Sequence, residues 1–385
     1  MKHQHTYISV NSGSSMAMHM LALCLAIAAS TLPALAQQLT IGTYTFKDGG
    51  SYQGELFRGK PYGKGHTVYP NGDTYEGDYV KGRRQGYGTY SFADGERYEG
   101  EWFQDQQHGY GTFYFSNNNR YTGQWYRDYQ QGEGTLYYYN GDQYTGTWED
   151  DLRNGQGTYT YASGDRYTGQ WKNDLKEGQG TFVWQNGARY DGTWREGKMN
   201  GQGLFAYPNG DTYRGSFHND SLEGRGTYRF NNGDVYEGQY HNSQREGEGI
   251  FTYANGNVYN GHFHAGLKHG TGTFIAGQTS YTGQWQRDLK HGQGRYTWAN
   301  GDVYEGQWEN GMMHGEGIIR QADGTKFKGH FVQGEKHGAF IMETADGTRF
   351  EGSYEADERH GPFIEKDPKG NIIRQGTYNH GVLEH

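Results

Sequence analysis

The chain has 385 residues and a net charge of −9, from 35 basic and 44 acidic side chains, which argues against bulk attraction to nucleic acid or anionic lipid. Its 65 glycines come with only six prolines and no Gly-x-y triplet, which excludes a collagen, and 35 tyrosines exclude a disordered chain. The single cysteine, Cys24, rules out a disulfide framework and a cysteine-based zinc site.

Met20 to Ala29 is an apolar run too short for a comfortable membrane span, and Ala34-Leu35-Ala36 before Gln37 has the form of a cleavage site. Residues 1–36 are therefore expected to be a signal peptide, with the start codon open among Met1, Met16, Met18 and Met20. Leu23 before Cys24 is not small, so a lipoprotein signal is not expected. Removing this leader leaves 34 basic and 44 acidic residues, a net charge of −10. The expected location is outside the cytoplasm: periplasmic, envelope-associated or secreted.

From Tyr52 onward one phrase recurs, and such a period must be found before any other reading is made. An aromatic-x-Gly anchor stands at Tyr52, Tyr75, Tyr98 and so on every 23 residues to Tyr259, then at Tyr281, Tyr304, Phe327 and Phe350, fourteen copies in all. A Gly-x-Gly signature follows in phase from Gly63-Lys64-Gly65 to Gly315-Glu316-Gly317 and degrades to Gly338-Ala339-Phe340 and Gly361-Pro362-Phe363. Tyr98, Gly100 and Trp102 are two apart, as are Gly109, Gly111, Phe113 and Phe115. This alternation predicts two short strands per repeat, one face aromatic and glycine-rich, the other polar.

The turns follow from the same pattern. Pro70-Asn71-Gly72, Ala93-Asp94-Gly95 and Pro208-Asn209-Gly210 read as three-residue connections, a type I turn closed by a left-handed glycine. An odd loop keeps both signatures on one face. Glycines such as Gly77, Gly86, Gly88, Gly100, Gly109 and Gly111 are expected to leave room for neighbouring rings. The second connection, such as Val80–Gln85 or Gln286–His291, reads as longer and varies between copies, which makes it an expected place for specific recognition.

Tyr98-Glu99-Gly100-Glu101-Trp102 followed by His108-Gly109-Tyr110-Gly111 resembles the MORN (membrane occupation and recognition nexus) repeat. The resemblance implies an all-β fold, an elongated single twisted antiparallel sheet of tandem β-hairpins with about 14 repeats of 23 residues. At a strand spacing of about 4.8 Å such an array extends roughly 130 Å. It also implies a bacterial-type exported array without a catalytic domain. Some relatives carry a lipid-kinase or methyltransferase domain beside the repeats, for which this chain has no room. The expected organisation is a signal peptide (1–36), an N-terminal partial hairpin or cap (37–50), a regular array (51–317) and divergent, more aliphatic repeats with a C-terminal cap (318–385).

No enzyme is expected. The glycines open no helix after a parallel strand, and neither G-x-S-x-G nor H-E-x-x-H is present. Asp73, Glu76, Asp78, Glu99, Glu101, Glu305 and Glu309 recur as solvating carboxylates with no unique pair in a cleft. His108, His269, His291, His314, His337 and His360 form a column before the first glycine. Equivalent positions in consecutive repeats stand about 10 Å apart, too far to share a metal ion. No catalytic, cofactor or metal residues are therefore expected, and no cofactor.

The aromatic rows have three readings: a self-stacked core, a recognition face, or a sugar-stacking surface. The residues singled out as an interaction face are Trp102, Trp125, Trp148, Trp171, Trp194, Trp285 and Trp308. The expected function is a non-enzymatic repeat scaffold for protein–protein interaction or assembly at the cell envelope. A phospholipid-binding module and a glycan- or cell-wall-binding protein are the alternatives. The expected partner is a protein, with membrane lipid, glycan and self-association through the aliphatic C-terminal repeats as further readings, and no nucleic acid.

Overall fold

A computed structural model describes residues 39–384, and every regular element among them is a strand. The leader expected over residues 1–36 lies outside the described residues. The chain falls into two compact units, one reaching Ala162 and including Trp171–Asp174, the other comprising Ser163–Gln170 and the chain from Leu175 on. In each unit consecutive strands pair antiparallel into an open sheet of hairpins. The first strand, β1 (Leu39–Thr45), pairs with β2 (Ser51–Phe57), and β2 in turn with β3 (Lys60–Val68).

One hairpin shows why these residues fold this way. β4 (Thr74–Val80) and β5 (Arg83–Ser91) align Tyr75 with Tyr90 and Gly77 with Gly88. Before β4, the turn at Pro70-Asn71-Gly72 is closed by Gly72 N–H donating to the Tyr69 carbonyl, 3.0 Å, and by Tyr69 N–H donating to the Asp73 carbonyl, 2.9 Å. Gly72 has φ +92°, the left-handed conformation this turn demands.

The second connection differs from its sequence reading. Val80 pairs directly with Arg83, so Lys81-Gly82 is a two-residue turn with φ of 53° and 80°. The same geometry recurs at Gln104-Asp105 and Arg287-Asp288. Positive φ at both central residues is the primed turn that fits the twist of paired strands. The polar residues that read as loop belong to the strand, where a bulge beyond the Gly77–Gly88 pair absorbs the extra length.

The variable tip is also partly structural. Asp105 Oδ1 accepts the Arg84 backbone N–H at 2.8 Å, and Asp105 N–H donates to the Arg84 carbonyl at 3.0 Å. Asp128 holds Gln107 in the same way, and Asp220 holds Met199. Each turn thus ties itself to the repeat before it, leaving only its first residue free to vary.

Asp73 is likewise not a solvating carboxylate. It is 7% exposed and accepts from Tyr90 Oη at 2.7 Å and from Ala93 N–H at 2.9 Å, both in the following repeat. Burial pushes its pKa up, but these bonds and the one from Asn71 outweigh burial and hold it below the usual carboxylate range. Asp142 and Asp211 repeat the arrangement.

Candidate functional site

The anchor tyrosines are the floor of the aromatic face. Tyr75, Tyr98 and Tyr213 are 0% exposed, and each hydroxyl donates to a carbonyl three residues on, at 3.0–3.1 Å. Burial first, then the nearby Glu55 carboxylate, pushes the Tyr52 phenol up to about 12. The glycines make room for these rings. A Cβ on Gly100 would lie 2.6 Å from Tyr98 Oη and 2.5 Å from the Gly111 backbone, so no side chain fits there.

The tryptophans stand on this floor. Trp102 meets Tyr98 of its own repeat edge-on with ring centroids 5.2 Å apart, and Tyr75 of the preceding repeat at 5.4 Å. Its Nε1–H donates to the Gly88 carbonyl at 3.1 Å. Trp125 and Trp148 make the same bond to Gly111 and Gly134, and Trp194, Trp285 and Trp308 to Gly180, Gly272 and Gly294. All seven tryptophans singled out above, Trp171 included, are only 3–6% exposed. They are therefore core rather than an interaction face. A flat ring over a glycine pair is enclosed by the repeats on either side, and its one polar atom is spent on the backbone.

Five residues after each tryptophan a further column covers the rings. In the first unit it holds Arg84, Gln107, Gln130 and Arg153. Arg84 lies 4.2 Å from the Trp102 ring, and Arg153 4.5 Å from the Trp171 ring. In the second unit Lys176 sits 4.4 Å from Trp194, and Lys290 4.6 Å from Trp308. Burial lowers the pKa of Lys176, Lys268 and Lys290 below the usual lysine value, as it must for an ammonium resting on rings.

In the second unit this pattern breaks at Met313 with Phe331 and, over two successive repeats, between Met199 and Tyr240. Phe217 and Tyr240 replace tryptophan, and Met199 and Leu222 replace the polar column residue. Phenylalanine is smaller than tryptophan, and neither Met199 nor Leu222 brings a charge over the rings. An open groove of about 860 Å³ results, with Trp184, Phe205, Tyr207, Tyr228 and Phe230 along it, Met199, Phe217 and Leu222 at its base and Arg245 at one end. Trp184, Tyr207 and Phe230 are half-buried, each presenting part of a ring to solvent. Its shape and lining are those of a binding cleft for apolar groups. The sequence analysis did not single out Phe217 and Tyr240; the available signal was the loss of tryptophan and of the polar column residue in two successive repeats.

The opposite face also differs along the chain. In the first unit it carries exposed rings: Tyr87 and Tyr110 at 57% exposure, with Phe103 and Tyr126 on either side of His108 at centroid distances of 5.5 and 5.3 Å. In the second unit it carries histidine–carboxylate pairs. His241 Nδ1 lies 3.1 Å from Glu223, and His264 Nδ1 2.9 Å from Glu246. These imidazoles, with the backbone N–H groups of Asn242 and Ala265, hold Glu223 and Glu246 below the usual carboxylate range. At the end of the chain Ile372, Ile373 and Val382 are exposed.

The MORN repeat family model matches twelve successive segments: 52–74, 75–97, 98–120, 121–143, 144–166, 167–189, 190–212, 213–235, 236–258, 259–277, 281–303 and 304–326. They amount to more than half of the chain and leave out the anchors at Phe327 and Phe350. No curated protein matches. Among solved structures, the SAS-4 (dCPAP) TCP domain of Drosophila melanogaster, in complex with a proline-rich motif of Ana2 (dSTIL), is 18% identical, with 40% of this chain and 85% of that chain covered and a TM-score of 0.27. The TCP10 domain of Danio rerio CPAP is 11% identical over 69% of this chain and 99% of that one, TM-score 0.13. A streptogramin B lyase is 11% identical over 81% and 94%, TM-score 0.13. No conclusion about fold or function rests on likenesses this slight.

Proposed function

This chain belongs to the MORN repeat family, and from that premise we propose that it is an exported, non-enzymatic scaffold at the cell envelope whose groove between Trp184 and Arg245 receives an extended, apolar segment of a partner protein. The observation that supports this reading most is the groove itself, where the covering column turns apolar at Met199 and Leu222 and leaves rings half-exposed. Extended and proline-rich segments dock into such aromatic-lined grooves because their backbone is already ordered and loses little entropy on binding. The anionic-lipid alternative is weakened by a net charge of −9, and the sugar-stacking alternative by the burial of Trp125 and Trp148.

The test is selection from a displayed library of extended peptides, half of them proline-rich, on the full chain and on a Met199→Lys, Leu222→Lys double variant. Lysine already occupies this column at Lys176 and Lys290, so the variant restores the pattern found elsewhere in the array. Selected peptides are expected to bind the variant at least tenfold more weakly, with circular dichroism unchanged. Equal binding to both proteins, or capture by anionic vesicles or cell-wall polysaccharide in place of peptide, would overturn the proposal.

A further inference from the structure

The sequence excludes shared metal sites by comparing one histidine column with itself, repeat to repeat. The structure brings different columns together, because they lie on adjacent strands rather than on adjacent repeats. Three positions converge on the polar face at a repeat boundary in the second unit: the residue after the tryptophan position, the residue before the first glycine, and the first residue of the next two-residue turn. At 309, 314 and 333 they read Glu, His, Gln, and His314 Nε2 lies 3.3 Å from Glu309. At 218, 223 and 242 they read His, Glu, Asn.

Among the described residues, only at Glu355, His360 and His380 do all three carry metal-ligating groups, and one ligand atom from each lies within 4.8 Å of the others. The turn at His380-Gly381 is held there by Gly381 N–H donating to the Arg359 carbonyl at 2.8 Å. The two imidazole rings lie 4.6 Å apart. His360 Nδ1 faces the His380 backbone N–H at 3.4 Å, and its Nε2 lies 3.6 Å from Glu355 Oε2. In a tetrahedral site with bonds of about 2.0–2.1 Å, two ligand atoms are separated by about 3.3 Å. The His360–Glu355 pair therefore already spans close to one edge of such a tetrahedron. Glu358 lies 3.5 Å from His380 Nδ1, where it can orient that ring through its outer nitrogen, as carboxylates commonly do for metal-bound histidines.

We propose that Glu355, His360 and His380 bind one divalent transition-metal ion of the Zn²⁺ class, with the fourth position open to solvent. The ion sits between His360 Nε2 and Glu355 Oε2 and fastens the final turn to the preceding hairpin. Binding releases protons and weakens as the imidazoles protonate.

The experiment uses the full untagged chain, stripped with EDTA and titrated with Zn²⁺ against a chromophoric chelator at pH 7.5 and pH 5.5. One equivalent is expected to bind at pH 7.5 with at least tenfold weaker binding at pH 5.5. His360→Ala and His380→Ala should each weaken it at least tenfold, while His314→Ala leaves it unchanged. Circular dichroism should be the same for all three variants, because each of these side chains reaches the surface. No stoichiometric Zn²⁺ binding, or an affinity insensitive to His360→Ala and His380→Ala, or equal loss with His314→Ala, would overturn the proposal.

Discussion

Residues 98–120 and 213–235 are copies of one repeat, five periods apart, and they share the same lock. Tyr98 and Tyr213 are both fully buried, and each closes over a glycine pair, Gly100 with Gly111 and Gly215 with Gly226. Two of their differences decide how the aromatic face is covered. Trp102 with Gln107 gives a covered surface, whereas Phe217 with Leu222 gives the groove. The positions that identify the repeat hold the strands, and the positions that differ decide what the surface offers. Stability and recognition are thus written at separate places in the same 23 residues.

That separation has measurable consequences. The largest effect is expected for Trp102→Ala, about 3–5 kcal/mol of local stability, because a buried ring and its bond to Gly88 are both lost. Phe217→Trp is expected to move the other way. It should leave stability unchanged or higher while filling the groove and weakening peptide binding at least tenfold. Hydrogen exchange of the two hairpins reads the first effect and a binding titration the second; a stability loss at Phe217→Trp would show that the groove is not simply the space of a missing tryptophan.

Next in size are Gly100→Val and Gly215→Val, which should each cost about 3 kcal/mol by forcing the tyrosine ring off its glycine pair. Equal losses in the two repeats, read from local exchange rates, are the expected result. An effect confined to one of them would mean that the lock is not common to both.

The hydrogen-bonded carboxylates at the repeat boundaries are expected to set the acid limit of both units. Asp73, Asp142 and Asp211 have folded pKa values below that of an unfolded aspartate, about 3.9. Their contribution is therefore complete above the unfolded value and is lost as pH falls through the folded values. The urea midpoint should drop below about pH 4, and Asp211→Asn should flatten that drop in the second unit. An acid limb unchanged by Asp211→Asn would remove the carboxylate from this role.

The smallest effect is expected at the turn tips. Asp105→Gly keeps the left-handed turn but gives up the bond to Arg84 N–H, a cost of about 1 kcal/mol. Exchange at Arg84 N–H should rise severalfold while neighbouring amides stay put. A protein with unchanged Arg84 exchange would show that Asp105 does not tie the repeats.

The hairpins were legible because alternation and the glycine-closed turn at Pro70-Asn71-Gly72 are both local signals, and the structure bears out the antiparallel hairpins they predict. The two-residue turns were misread because Lys81-Gly82 runs straight into the polar residues Arg83, Arg84 and Gln85, which look like more loop. Yet the second turn position is Gly or Asp in nearly every copy, as at Gly82, Asp105, Asp128 and Gly197, which is the signature of a primed turn. The tryptophans were misplaced because composition cannot say which of several rings in a stripe ends up beneath the others. Asp73 was misjudged because its partners, Tyr90 and Ala93, lie in the next repeat, where no local pattern announces them. The groove required reading two columns together rather than one motif at a time.

If the groove between Trp184 and Arg245 receives the partner, it must respond to a bound peptide where the covered surface does not. Phe115 and Phe230 occupy the same repeat position in the two regions, and both are half-buried aromatic residues. Replacing each in turn with benzoylphenylalanine and irradiating in the presence of a selected peptide compares the covered surface with the groove directly. A covalent adduct is expected from position 230 and none from position 115. Adducts of equal yield at both positions, or from position 115 alone, would contradict this expectation.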